Sequence, residues 1–221
     1  MPDRYPQRPF AVPGDATEIV LVRHGASAAA VPGEPFELLE GHADPPLAPE
    51  GEEQARRVAA RLADWPLDAL FVTTLQRTAQ TAAPIAEVSG LEPVVVPELR
   101  EVNLGEWEGG ELRVRTAKGD PLVRRIFEEQ RWDIIPGAEP AEDFADRVRA
   151  GVLAAVEATG PGRTAVAVVH GGVIGEICHQ ATGSHPLSFV HADNCSISRL
   201  VVFGDGRWLL RSFNDIAHLD G

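Results

Sequence analysis

With 221 residues, 44% apolar and 24% charged, the chain has the make-up of an ordinary soluble globule, large enough for one domain with a sheet covered on both faces. Its net charge of −13 gives no long-range attraction to nucleic acid or to an anionic membrane, so an anionic substrate needs a local basic pocket inside an acidic shell. Cys178 and Cys195 are too few for a disulfide framework and lack CxxC spacing. No apolar run approaches the roughly 20 residues of a membrane span.

Residues 1–17 begin with a stretch holding Pro2, Pro6, Pro9 and Pro13 and no long apolar segment. They predict an irregular proline-rich arm, not a signal peptide, ahead of a domain over 18–221 and a cytoplasmic setting. The first strand is predicted over 18–23. A loop over 26–49 follows, rich in proline and long enough to expect a functional role. Ala55, Val58, Ala59 and Leu62 recur at helical spacing and predict a helix over 50–63, with Pro49 near its first turn. A short strand over 69–72 feeds a helix over 76–88, in which Pro84 predicts a kink or a shifted end.

A third short strand is predicted over 93–96, then a loop with Gly105, Gly109 and Gly110, and a weakly helical stretch over 121–130. Phe144, Val148, Val152 and Ala155 mark a helix over 142–158. The run over 164–169 reads as a strand followed by a helix over 173–181, and 196–203 with 208–213 reads as a hairpin around Gly204, Asp205 and Gly206. Alternating strands and helices predict a single α/β domain with a mainly parallel central sheet and helices on both faces. The 26–49 loop and an irregular 112–135 segment are expected to shape the pocket.

Two glycine-flanked histidines carry most of the chemistry. Arg23, His24 and Gly25 end the first strand, and His170, Gly171 and Gly172 end the strand over 164–169. Ligands of α/β proteins bind beyond the carboxyl ends of the strands. Glycines there let the backbone approach an anion and offer N–H groups to it. A neutral imidazole is a good nucleophile toward phosphorus, and nearby guanidiniums keep it neutral; Arg77, just after the second strand, is the natural partner of Arg23. A leaving alkoxide needs a proton, for which Glu101 is the candidate, with Glu106 and Glu108 as competitors. Taken one at a time, each of these residues also reads as a loop cap, a helix-surface arginine or a solvated glutamate.

Other chemistries lack their signatures. The chain has no Walker A string, no GxGxxG after a strand and no GxSxG elbow. Neither cysteine has the CxxxxxR spacing of thiol phosphatases, and the seven histidines show no HExxH or HxH spacing. A metal site assembled across loops stays open, but it leaves the paired arginines unexplained.

In order along the chain, these segments resemble the histidine phosphatase superfamily, in its phosphoglycerate mutase-like branch. The resemblance covers 19–210. It is carried by Arg23-His24-Gly25, by Gly41, Asp44, Pro46, Leu47 and Gly51, and by Leu75, Arg77, Thr81 and Ala82. It continues through Leu99-Arg100-Glu101, Gly105, Trp107-Glu108-Gly109, His170-Gly171-Gly172-Val173-Ile174, and Asn194, Ser196, Ile197, Arg199 and Leu200. It implies that His24 becomes phosphorylated, that Arg23, Arg77 and His170 bind the phosphoryl oxygens with Gly171, and that Glu101 protonates the leaving group and then activates water. It implies no metal and no cofactor.

The sequence departs from the family in two places. After Gly25 the family shows Glu-Thr and then an asparagine near the phosphate; here Ala26 and Ser27 follow, and Ala30 stands where the asparagine is expected. Ser27 or a residue of the proline-rich loop is the expected substitute. The later Gly-Gly-Glu-Ser string reads Gly137-Ala138-Glu139-Pro140, which removes a side-chain hydroxyl. The expected activity is a phosphomonoesterase acting on a small phosphorylated substrate, as a monomer or homodimer. The alternatives are a phosphoglycerate-type mutase and a non-catalytic phospholigand-binding protein. Ser27, His42, Arg100 and Trp107 are the candidates for substrate contact. No residue selects among sugar phosphates, phosphoglycerates, nucleotides and phosphopeptides.

Overall fold

The apolar run predicted over 18–23 is a central strand of the sheet, buried on both faces. A computed structural model describes residues 4–220. In chain order these form β1 (Thr17–Arg23), β2 (Leu38–Leu39), β3 (His42–Ala43), α1 (Pro49–Leu62), β4 (Ala69–Val72), α2 (Gln76–Ser89) and β5 (Pro93–Val95). There follow α3 (Glu111–Lys118), α4 (Pro121–Glu129), α5 (Ala141–Thr159), β6 (Thr164–Val169), α6 (Gly171–Thr182), β7 (Ile197–Val202) and β8 (Trp208–Asp215).

Six strands make one sheet in the order β5-β4-β6-β1-β7-β8. The first four are parallel, and β7 and β8 join antiparallel at one end. Strand alternation divides the core. Ile19 and Leu21 of β1, with Ala165, Ala167 and Val169 of β6, face α5 and α6. Val20, Val22, Val166 and Val168 face α1 and α2 on the other side. The expected single α/β domain with helices on both faces is what the chain forms.

Three details differ from expectation. Pro84 does not interrupt α2, which runs for 14 residues; the cost of roughly 3 kcal/mol for an interior proline is offset by burying Thr78, Ala82 and Ile85 against the sheet. The 112–135 segment is not irregular, since α3 and α4 occupy most of it. They rest on a third apolar cluster of Trp107, Ile126, Ile135 and Leu187. The proline-rich loop carries the short β2–β3 ribbon. No helix among the described residues is long and apolar enough to cross a membrane.

Candidate active site

Three adjacent parallel strands deliver their carboxyl ends to one crevice: β1 ends in Arg23 and His24, β6 in His170, and β4 in Thr73. The His24 amide donates to the carbonyl of Val169 at 2.9 Å, which sets the two histidines side by side. Their ring centroids lie 5.2 Å apart, edge to face. Residue 25 is glycine because another stretch of backbone passes against it. A Cβ there would stand 2.4 Å from the carbonyl oxygen of Gly51, and one on Gly51 would meet Ala26 O at 2.0 Å. The two backbones therefore touch, and the start of α1 braces the loop that follows His24.

His24 is only 4% exposed. Its Nδ1 bonds the carbonyl of Gly25 at 2.8 Å; a carbonyl only accepts, so the proton is on Nδ1 and the lone pair is on Nε2. Nε2 accepts from Arg77 Nε at 3.2 Å. Burial, then Arg77 and Arg23, hold the imidazole well below its ordinary pKa. His170 is completely buried behind it and is also held neutral, by burial first and then by Arg77. Its Nε2 shares a 2.9 Å hydrogen bond with Thr73 Oγ1, while Nδ1 has no protein partner.

Arg77, the second residue of α2, is 7% exposed and donates to Ala43 O at 2.9 Å, with Asp44 3.9 Å away. Arg23 donates to Ala192 O and keeps a buried Nε without a protein partner. Burial lowers the pKa of both guanidiniums, but arginine keeps its charge in proteins. Glu101 faces them across a cleft of about 250 Å³. Its oxygens accept from Val102 N at 3.1 Å and from Gly172 N at 3.2 Å. Of its competitors, Glu106 is exposed and lies outside this cleft. Glu108 lines it, but its two oxygens tie Ala43 N (2.7 Å) to Leu104 N (2.9 Å).

The candidates for substrate contact divide. Buried His42 lines the cleft, with an unpartnered Nε2. Trp107 lines it too, as part of the apolar cluster beneath α3. Arg100 does not line it; its guanidinium is ion-paired with Glu40. Ser27 is also outside, and its hydroxyl accepts from Arg113 Nη2 at 2.7 Å.

Arg113 is the cleft residue that sequence reasoning missed. It sits on α3, lines the cleft and donates from Nη1 to Ala28 O at 2.9 Å. Burial and the neighbouring Arg23 lower its pKa. The methyl of Ala30 packs against Gly110, where a Cβ would come within 2.9 Å. The position expected to hold asparagine is thus covered by the start of α3, and the same helix brings the Arg113 guanidinium to the cleft. The absent asparagine is the one clue in the sequence that some other donor must be supplied.

A mainly parallel α/β sheet with buried neutral imidazoles and three guanidiniums at its carboxyl edge is the frame of an enzyme that handles anions. The family model for the histidine phosphatase superfamily (branch 1) matches residues 19–216, and the chain belongs to that superfamily. It is 30% identical over 214 residues to a probable phosphoglycerate mutase, GpmB, of Yersinia enterocolitica, spanning 92% of this chain and 95% of that one. Among solved structures it resembles a mycobacterial glucosyl-3-phosphoglycerate phosphatase, at 26% identity and a TM-score of 0.72 over 90% of this chain and 99% of that one. It also resembles an alpha-ribazole phosphatase from Shigella flexneri, at 26% identity and a TM-score of 0.71, covering 90% and 96% of the two chains.

Proposed function

We propose that this chain is a cytoplasmic phosphomonoesterase that hydrolyses a small phosphoester through a phosphohistidine on His24. The observation that carries this is the tautomer of His24: Nδ1 is committed to Gly25 O, and Nε2 is left as a lone pair among arginines. In the first step Nε2 attacks phosphorus in line. The N–P bond forms, the P–O bond to the leaving group breaks, and Glu101 gives its proton to the departing oxygen. In the second step Glu101 takes a proton from water, whose oxygen attacks phosphorus as the N–P bond breaks, releasing inorganic phosphate. Arg23 and Arg77 supply the positive field for the phosphoryl oxygens, and neutral His170 and the Gly171 backbone N–H behind them add hydrogen-bond donors.

Neither thiol competes as nucleophile. Cys178 and Cys195 are buried and unbonded, and burial pushes each up to about 12. The name of the Yersinia relative favours a mutase as the second reading. Both are tested by incubation with a panel of phosphoesters. Release of inorganic phosphate, lowered about 10³-fold or more in His24→Ala, is the expected result. Transfer of phosphate within one substrate without release would identify a mutase, and vanadate binding without turnover a binding protein.

A further inference from the structure

A second cleft, of about 300 Å³, opens from the first. The two share Arg23, Glu101, Val102, Leu104 and Leu112. We propose that this second cleft seats the leaving group, and that the substrate is the phosphomonoester of an apolar, ring-bearing alcohol. This rests on the phosphatase reading above, because it uses Glu101 as the leaving-group acid. A general acid must lie within hydrogen-bond reach of the oxygen it protonates. The leaving group therefore departs on the Glu101 side, where the second cleft begins.

The walls of the second cleft define what fits there. Beyond the junction its side chains are Val123, Ile126, Phe127, Trp132 and Val190, with Thr116 and His191 as the polar exceptions; Gly171 and Gly172 at the start of α6 complete the lining next to Glu101, which accepts from Gly172 N. Phe127 stacks on the His191 ring at 5.4 Å and 22°, which makes a flat face, and it is still 36% exposed. A ring laid on that face would cover it. Arg23 and Glu101, both at the junction, are the charged residues of the lining. Arg113 lines the phosphate cleft and not this one. A second carboxylate or phosphate on the leaving group would find no arginine or lysine beyond the junction, where Arg23 is already committed to the phosphoryl group, whereas an apolar ring gains by leaving water.

The test holds leaving-group basicity constant by comparing 3-phenylpropyl phosphate with propyl phosphate, and both with 3-phosphoglycerate. The expected result is a kcat/KM for the phenylpropyl ester at least about tenfold above that for the propyl ester. Val123→Asp and Phe127→Ala should each shrink that ratio severalfold. Because it is a ratio within one preparation, it does not depend on how much variant protein folds. Equal use of the two alkyl esters, or a preference for 3-phosphoglycerate, would overturn the assignment while leaving the phosphatase reading intact. If no ester is hydrolysed, the phosphatase reading fails. The cleft is then judged by calorimetry with 3-phenylpropylphosphonate and propylphosphonate, where equal affinity would overturn it.

Discussion

Arg147 grips the backbone on which Glu101 is mounted. From α5 its Nη2 donates to the carbonyl of Glu101 at 2.9 Å, and its Nη1 donates to those of Glu98 and Arg100 at 2.7 Å each. The same guanidinium closes a two-point ion pair on Glu139, from Nε at 2.6 Å and Nη2 at 2.8 Å. Glu139 also accepts from Asn103 N at 3.2 Å. Three hydrogen bonds from one planar fork thus hold the turn that carries Glu101, and two more tie the fork to Glu139.

Arg147→Lys keeps the charge but loses the fork. Misplacement of a catalytic group by about 1 Å can cost on the order of 10²-fold in rate, so kcat should fall tenfold or more while KM changes little. Glu139→Gln should do the same, and the double variant should add little, since both act on one network. Additive losses, or a change confined to KM, would show that the clamp does not position Glu101.

Gly172 leaves room for the Glu101 carboxylate. A Cβ at that position would stand 2.5 Å from Glu101 Oε1, whereas one at Gly171 would have no contact closer than 3.4 Å. Gly172→Ala should therefore displace the carboxylate and lower kcat about tenfold or more, by the same misplacement. Gly171→Ala should be milder. Equal kcat in the two variants would contradict the contact.

Arg113 should strengthen binding of a phosphoryl group. Its loss in Arg113→Gln removes one of three guanidiniums at the cleft, and vanadate affinity should drop about tenfold, with a weaker dependence on salt. Unchanged affinity measured by titration calorimetry would assign Arg113 to the loop alone, through Ser27 and Ala28.

The two buried histidines also make stability depend on pH. Both fold with a pKa well below the ordinary 6.5, so below that value the unfolded chain takes up protons that the folded one refuses. Stability is then highest above 6.5 and falls as the pH drops toward the depressed values, by up to about 1.4 kcal/mol per pH unit for each histidine. Urea midpoints measured across this range should fall less steeply for His170→Asn than for the parent. Parallel slopes would mean that His170 does not fold neutral.

The sequence makes the catalytic edge legible because the strands that build it are unambiguous. The runs ending at Arg23 and Val169 are apolar on both faces, as buried parallel strands must be, so the residues after them point to the crevice. Arg77 is legible for the same reason, one turn beyond β4. Helix α3 is not. It has two apolar residues worth burying, Leu112 and Val114, and glycines at both ends. What holds it is packing across segments: Leu112 joins the cluster of Trp107, Ile126, Ile135 and Leu187, and Arg115 lies 4.9 Å over the Trp107 ring, contacts that a weak apolar pattern within 111–118 does not announce. Arg113 was hidden with it. Arg100 adjoins Glu101 in sequence, yet the backbone turns its side chain to Glu40 and away from the cleft.

The most direct measurement is to quench the protein during turnover of a phosphoester in alkali and map the phosphorylated residue by mass spectrometry. A phosphoryl group on His24, stable in alkali, lost in acid and absent from His24→Ala, is the expected result. A phosphoryl group on any other residue, or phosphate release by His24→Ala at the parent rate, would contradict nucleophilic catalysis by His24.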